Sequence, residues 1–195
     1  MLSENFIWVA LLINFFGTII YLLGTLKGKV KPNKVTWLLW AINPLIAFAA
    51  EIHQQVGIQS WLTFSIGFGP LLIFLASFVN KKAYWKITKA DIICGLFSIL
   101  GLSLWYLTRV GNLVIVFSII ADAFAALPTL YKAYHHPKTE NFWSFLTASI
   151  SGGITIFTIR YWNFETYAFP IYIFLINFLI AFAIKFQFNK TKSLT

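Results

Sequence analysis

Long apolar runs, separated by short polar segments, make up almost the whole chain. Each run is close to the ~20 residues that a helix needs to cross ~30 Å of hydrocarbon. The runs extend from Phe6 to Leu26, Val35 to Ala50, Trp61 to Val79, Asp91 to Thr108, Gly111 to Tyr131, Phe142 to Ile159 and Thr166 to Ile184. They are uniformly apolar rather than alternating, so the pattern predicts helices and not the strands of a barrel. The predicted fold class is an all-α membrane protein with seven transmembrane helices.

Composition agrees with this prediction and excludes two kinds of site that need several cysteines. Hydrophobic residues make up 59% of the chain, charged residues only 11%, and the mean hydropathy is +0.77, which is outside the range of ordinary soluble domains. Cys94 is the single cysteine, so a disulfide within the chain and a metal site built from several thiolates are both excluded.

The distribution of positive charge predicts the orientation of the chain. A net charge of +9 would suit a nucleic-acid partner, but the cations lie in short clusters between apolar runs rather than along one stripe. All but two of the 15 Lys and Arg residues, Arg109 and Arg160, follow the first, third, fifth or seventh run. We therefore predict no nucleic-acid partner. We expect an integral protein of the cell membrane, with the N terminus outside and the C terminus cytoplasmic.

The segment from Leu127 to Phe145 ends one apolar run, turns through a basic loop and begins the next. Pro128 lacks a backbone N–H and is expected to kink the fifth helix. Beyond it, Lys132 is expected to snorkel towards the headgroups. Thr139, Glu140 and Asn141 are expected to supply capping side chains for the sixth helix.

The same residues carry a resemblance to a known family. Pro128-Thr129, then Leu130-Tyr131-Lys132, and the later run from Lys138 to Ser144 resemble the PQ-loop repeat of SWEET sugar carriers, lysosomal amino-acid exporters and their relatives. Thr129 stands where the family has the glutamine of its name. The resemblance implies a membrane transport superfamily, and it does not identify a substrate.

A second copy of the loop predicts an internal repeat. The segment from Lys31 to Trp37 resembles the segment from His136 to Phe142 at an offset of 105 residues, which carries the first three helices onto the last three. We therefore predict two parallel three-helix repeats joined by a linker helix (3+1+3), the arrangement of SWEET-type carriers. The first repeat would be 1–80, the linker loop and fourth helix 81–110, the second repeat 111–186 and the cytoplasmic tail 187–195.

Polar residues at helical spacing indicate a candidate substrate site between the repeats. Helices one and five carry matching stripes at i, i+4, i+7 and i+11. These are Asn14, Thr18, Tyr21 and Thr25, against Ser118, Asp122, Ala125 and Thr129. The stripes either line a polar pathway or form hydrogen bonds at helix contacts, and both interpretations remain open.

Helices two, six and seven add further candidates. Trp40 and Asn43 share a face of helix two, where a ring and a carboxamide would suit a neutral polar ligand. Ser151 and Asn177 are weaker candidates for substrate binding. Pro44 and Pro128 are predicted hinges. The neighbouring Trp37 is expected to belong to an interfacial aromatic belt.

Asp122 is the most informative single residue. It is the only Asp, Glu, Lys or Arg in the middle third of any predicted helix, where an ionised carboxylate costs roughly 2.5 to 3.5 kcal/mol. Burial favours its protonated form, which predicts a role in coupling proton movement to solute movement. Two alternatives remain open: a protonated, structural Asp, and an ionised Asp that holds the amine of a cationic substrate.

Together these features predict a carrier for a small polar solute, such as a sugar, an amino acid or a vitamin-like molecule, that works by alternating access. The alternative is a non-transporting receptor or scaffold on the same fold. We expect no enzyme activity, cofactor or metal, because His53, His135 and His136 do not cluster at one predicted site and no nucleotide-binding fingerprint occurs. The expected partners are the solute and the lipid bilayer, and a homo-oligomer remains open.

Overall fold

The computed structural model of the protein describes residues 2–3, 5–53, 60–108 and 111–192. Every predicted apolar run forms a helix. The helices are α1 (Phe6–Leu26), α2 (Lys34–His53), α3 (Ser60–Ala76), α4 (Lys89–Thr108), α5 (Gly111–His135), α6 (Phe142–Thr158) and α7 (Phe164–Lys192). Short 3-10 turns lie at Lys81–Ala83 and Pro137–Thr139, and the described part of the chain contains no strand. The prediction of an all-α protein with seven helices is confirmed.

Among the described residues, three segments are long and apolar enough to cross a membrane: Phe6–Leu26, Ile115–His135 and Thr166–Gln187. The outer surface of the bundle carries large apolar side chains, and Leu12, Val79 and Leu107 are each at least 70% exposed. Water would oppose such exposure, whereas hydrocarbon would not. These features are consistent with a membrane protein.

The helices pack in a regular order. α3 packs against both α1 and α2, and α7 packs against both α5 and α6. Two further contacts, α1 with α6 and α2 with α5, join the first three helices to the last three. α4 packs against α5 and also contacts α2.

The basic loops meet at one end of this bundle, which we call the Lys-rich end (residues 27–34, 80–89 and 132–141). The Lys31 N–H donates to the Thr139 carbonyl at 2.9 Å, and the Asn80 side-chain amide donates to the Leu26 carbonyl at 2.8 Å. The Trp85 and His136 rings are 5.3 Å apart. The loops that follow α1, α3 and α5 are therefore in direct contact.

Matching asparagines begin α2 and α6. The Asn33 side chain accepts from the Val35 N–H at 3.1 Å, and the Asn141 side chain accepts from the Ser144 N–H at the same distance. The prediction that Asn141 is a cap is confirmed. These caps are 108 positions apart rather than the 105 of the sequence alignment, because the three-residue turn Pro137–Thr139 is inserted before the second cap. The corrected offset pairs Asn43 with Ser151.

Prolines lie inside continuous helices. Four helices continue through a proline without interruption: α2 through Pro44, α3 through Pro70, α5 through Pro128 and α7 through Pro170. α5 continues beyond Pro128 to His135, past the predicted end at Tyr131. The hinge roles of Pro44 and Pro128 stay predictions.

The adjacent glycines of α6 provide a matched test of its packing against α7. A Cβ at Gly152 would lie 3.0 Å from the backbone N of Phe174, whereas one at Gly153 would only touch its ring carbons, at 3.5 Å and 3.6 Å. We expect Gly152→Ala to lower the free energy of unfolding by about 1–3 kcal/mol, because backbone atoms cannot move aside as a side chain can. Gly153→Ala is expected to be neutral or stabilising by up to about 1 kcal/mol. Thermal unfolding in detergent measures both, and equal effects would contradict the close approach.

Candidate functional site

The candidate site is centred on Asp122 of α5. Its side chain is 8% exposed, and the Tyr172 hydroxyl of α7 donates a hydrogen bond of 2.6 Å to its Oδ2. In the described part of the chain, no cation forms an ion pair with it. Asp122 is thus a buried acid held by one neutral donor.

Alanines explain how a helix with this acid packs so closely. Ala121, Ala125 and Ala126 are fully buried around Asp122. A Cβ at Gly101 of α4 would lie 2.9 Å from the Ala121 Cβ and 3.1 Å from its Cα, so α4 and α5 are nearly in backbone contact. These small residues offer Asp122 no polar partner, and its relief must come from other helices.

α2 packs on α5 and carries two polar side chains that are candidates for this role. The indole N–H of Trp40 approaches the Asp122 carboxyl, although it makes no hydrogen bond in this geometry. Asn43 lies one turn further along the same face, and its side-chain oxygen is buried without a hydrogen-bond partner among the described residues. A buried polar atom that makes no hydrogen bond costs about 1–3 kcal/mol. On α2, Trp40 therefore offers an unpartnered donor and Asn43, one turn further along, an unpartnered acceptor.

The other predicted substrate-binding residues make no hydrogen bond with this group in the described part of the chain. Asn14, Ser151 and Asn177 are all half-buried. Within the described chain their hydrogen bonds stay inside their own helices. The Asn14 and Ser151 carbonyls accept from threonine hydroxyls four residues on, and the Asn177 amide donates to the Ile173 carbonyl at 2.9 Å. Their roles in substrate binding stay predictions.

Tyr172 is the site residue that the sequence interpretation missed. It lies within the seventh apolar run, and a tyrosine hydroxyl placed in hydrocarbon usually finds a partner. That rule, applied with the single buried acid of α5, would have suggested the pair.

A second polar cluster lies at the Lys-rich end and contains a buried ion pair. The Lys132 Nζ is 2.6 Å from the Glu140 Oε1, and both side chains have no exposure to solvent. The Tyr21 hydroxyl of α1 donates to the other carboxylate oxygen at 2.7 Å. Lys132 also donates to the Lys31 carbonyl, and its Nζ lies 4.8 Å from the centre of the Trp85 ring.

Two expectations about this cluster are wrong. Lys132 does not snorkel, and neither Thr139 nor Glu140 caps α6, since the Thr139 hydroxyl donates to the His136 carbonyl and Glu140 pairs with Lys132. The physical reason is that α5 continues past Lys132 to His135, and the turn Pro137–Thr139 then folds the chain back. This return places Glu140 against the side of α5, where the cation can be neutralised without reaching the headgroups.

An aromatic layer lies between the ion pair and Asp122. The Tyr21 and Trp37 ring centroids are 4.5 Å apart, and those of Trp37 and Trp40 are 5.3 Å apart. Phe145 of α6 completes the layer, 6.0 Å from Tyr21 and 6.4 Å from Trp40. Trp37 is 6% exposed, so its assignment to an interfacial belt is wrong. This layer brings α1, α2 and α6 together between the two polar clusters.

No protein-family model, curated protein or solved structure matches the chain. Among the residues that the structure describes, no group of three or more His, Cys, Asp or Glu side chains could hold a metal ion. The function therefore has to be inferred from the chain's own residues.

Proposed function

We propose that the protein is a membrane carrier for a small polar solute, with its binding site at Asp122, Trp40 and Asn43. The observation that carries the proposal is the buried acid Asp122 of α5, held by one neutral donor, on a helix that packs against α2, where the Trp40 indole N–H and the Asn43 side-chain oxygen lack hydrogen-bond partners among the described residues. A solute bearing hydroxyl, amide or amino groups would satisfy those atoms, and the Trp40 ring would pack on its apolar side. A sugar, an amino acid or a vitamin-like molecule has this chemistry.

The order of helix packing supports alternating access between two halves, α1–α3 and α5–α7. The two halves have the same pattern of contacts. α3 packs on α1 and α2 in the first half, as α7 packs on α5 and α6 in the second. Between the halves, the contact of α1 with α6 corresponds to the contact of α5 with α2. Such a pattern is expected of two parallel repeats with α4 as the linker. The site would lie where the halves meet and would open to each side in turn.

Asp122 would couple a proton to this cycle. An uncompensated carboxylate inside a bilayer is costly, and the Tyr172 hydroxyl alone does not neutralise it. Protonation removes the charge when the site is closed, and release of the proton follows when water reaches the site. The proposed orientation places the Lys-rich end in the cytoplasm and the N terminus outside, in the cell membrane.

Uptake by proteoliposomes of a panel of radiolabelled sugars, amino acids and vitamin-like solutes tests the proposal. The parent protein should accumulate at least one class, and Asn43→Ala should reduce that uptake at least tenfold, because the lost acceptor leaves a solute donor unpaired. Asn112→Ala is the control, since that carboxamide is exposed at the start of α5. Binding of a solute without uptake would instead favour a receptor or scaffold.

A further inference from the structure

The cluster at the Lys-rich end connects the two halves of the bundle. The Tyr21 hydroxyl of α1 donates to Glu140, which follows α5. Lys132 of α5 donates to the Lys31 carbonyl, and the Lys31 N–H donates to the Thr139 carbonyl at 2.9 Å. Each of these hydrogen bonds joins the segment 1–80 to the segment 111–186. The ion pair itself, Lys132 with Glu140, lies within the second half.

Stability alone does not account for an ion pair in this place. Removing two charges from water is costly, and well-packed apolar residues often hold a protein together as well or better. Apolar residues would, however, make the contact expensive to open, because separation would expose them to water. Charged and hydroxyl groups regain hydration when they separate. The cluster therefore suits a contact that forms and breaks.

The position of the cluster fits closure of a pathway. Lys132 is ten residues beyond Asp122, or about 15 Å along α5. Thr129 lies between them along the helix, fully buried, with a hydroxyl that makes no hydrogen bond to any residue that the structure describes. The aromatic layer runs from Tyr21, which is hydrogen-bonded to Glu140, through Trp37 to Trp40. Both features separate Asp122 from the loops of the Lys-rich end.

We propose that Tyr21, Lys132, Glu140 and the Lys31 carbonyl form a latch that closes the solute pathway at the Lys-rich end. The latch rests on the proposed alternating access, and it assigns the described conformation to the state closed at that end. Opening requires separation of Tyr21 from Glu140 and of Lys132 from Lys31, while Lys132 and Glu140 stay paired within the second half. No charge is then left alone when the halves part.

Tyr21 gives the cleanest variant. Tyr21→Phe removes only the hydroxyl that joins the halves and keeps the ring against Trp37 and Phe145. A second variant, Lys132→Met with Glu140→Gln, removes both charges together and so leaves none unpaired. Tyr134→Phe is the control, because Tyr134 is on the same helix as Lys132 but is exposed.

Thiol labelling in sealed membrane vesicles tests the latch. Cys94→Ser provides a background without cysteine, and Thr129→Cys reports on access to the pathway. Lys86→Cys, made separately, shows which face of the vesicles exposes the Lys-rich end, so that no orientation is assumed. From that face, an impermeant maleimide should label Thr129→Cys about tenfold or more faster when Tyr21→Phe is present, since a hydrogen bond to a charged group shifts an opening equilibrium by about that factor. The double variant should do the same, and Tyr134→Phe should not.

Unchanged labelling in both Tyr21→Phe and the double variant would overturn the latch. The readout needs no solute, so it separates the two proposals. Faster labelling without uptake of any solute would keep these contacts as a closure of the Lys-rich end and refute the carrier. Uptake with unchanged labelling would keep the carrier and refute the latch.

Discussion

Asp122→Asn is expected to abolish pH-driven accumulation of solute while counterflow exchange continues. Asparagine has nearly the same shape as aspartate, and its side-chain oxygen can still accept a hydrogen bond from the Tyr172 hydroxyl. The protein should therefore fold and bind the solute. It has no proton to release, and a proton gradient can then no longer drive the cycle. Uptake into proteoliposomes with an imposed pH gradient should fall at least tenfold. Exchange across vesicles preloaded with unlabelled solute measures the uncoupled cycle.

Tyr172→Phe is the matched control for this prediction. It removes the other partner of the same hydrogen bond but keeps the titrating carboxyl, so pH-driven accumulation should persist. If Asp122→Asn accumulates solute as the parent does, with the same pH dependence, then Asp122 is structural. If Asp122→Asn loses exchange of cationic solutes as well, the carboxylate instead holds the amine of the substrate.

The helices could be predicted from the sequence because each carries its own signal. An apolar run of membrane-spanning length can be recognised from its own residues alone. α1, for example, begins and ends at its predicted residues, Phe6 and Leu26. α5 ends four residues later than predicted, at His135. The residues after Tyr131 are polar, and their sequence therefore predicted a loop. In the structure Glu140 neutralises Lys132, so the helix continues past this cation.

The polar clusters could be predicted only in part, because they depend on contacts between distant segments. Asp122 was recognisable by itself, since a lone acid in an apolar run is unusual. Its partner Tyr172 is 50 residues away, and Tyr21 is 119 residues from Glu140. No periodicity relates such positions. The offset of 105 relates the starts of α1 and α5, whereas the caps of α2 and α6 are 108 positions apart, because a three-residue turn before Asn141 is invisible in a comparison that matches the prolines.

Replacing one residue of the buried ion pair should lower the free energy of unfolding more than replacing both residues. We expect Lys132→Met to lower the free energy of unfolding by about 3–5 kcal/mol, because Glu140 would stay buried with only the Tyr21 hydroxyl as partner. Glu140→Gln should have a similar effect through an unpaired Lys132. The double variant should recover most of the loss, since no charge is then left uncompensated.

Unfolding of the purified protein in mixed micelles, at increasing SDS, measures all three variants, and the double-mutant cycle gives the coupling energy of the pair. Lys138→Met is the control, because Lys138 is exposed in the same loop and should change stability by no more than about 0.5 kcal/mol. Single variants as stable as Lys138→Met would mean that water reaches Lys132 and Glu140 in the folded protein. That result would count against the proposed latch, which requires Lys132 and Glu140 to be shielded from water in the described conformation.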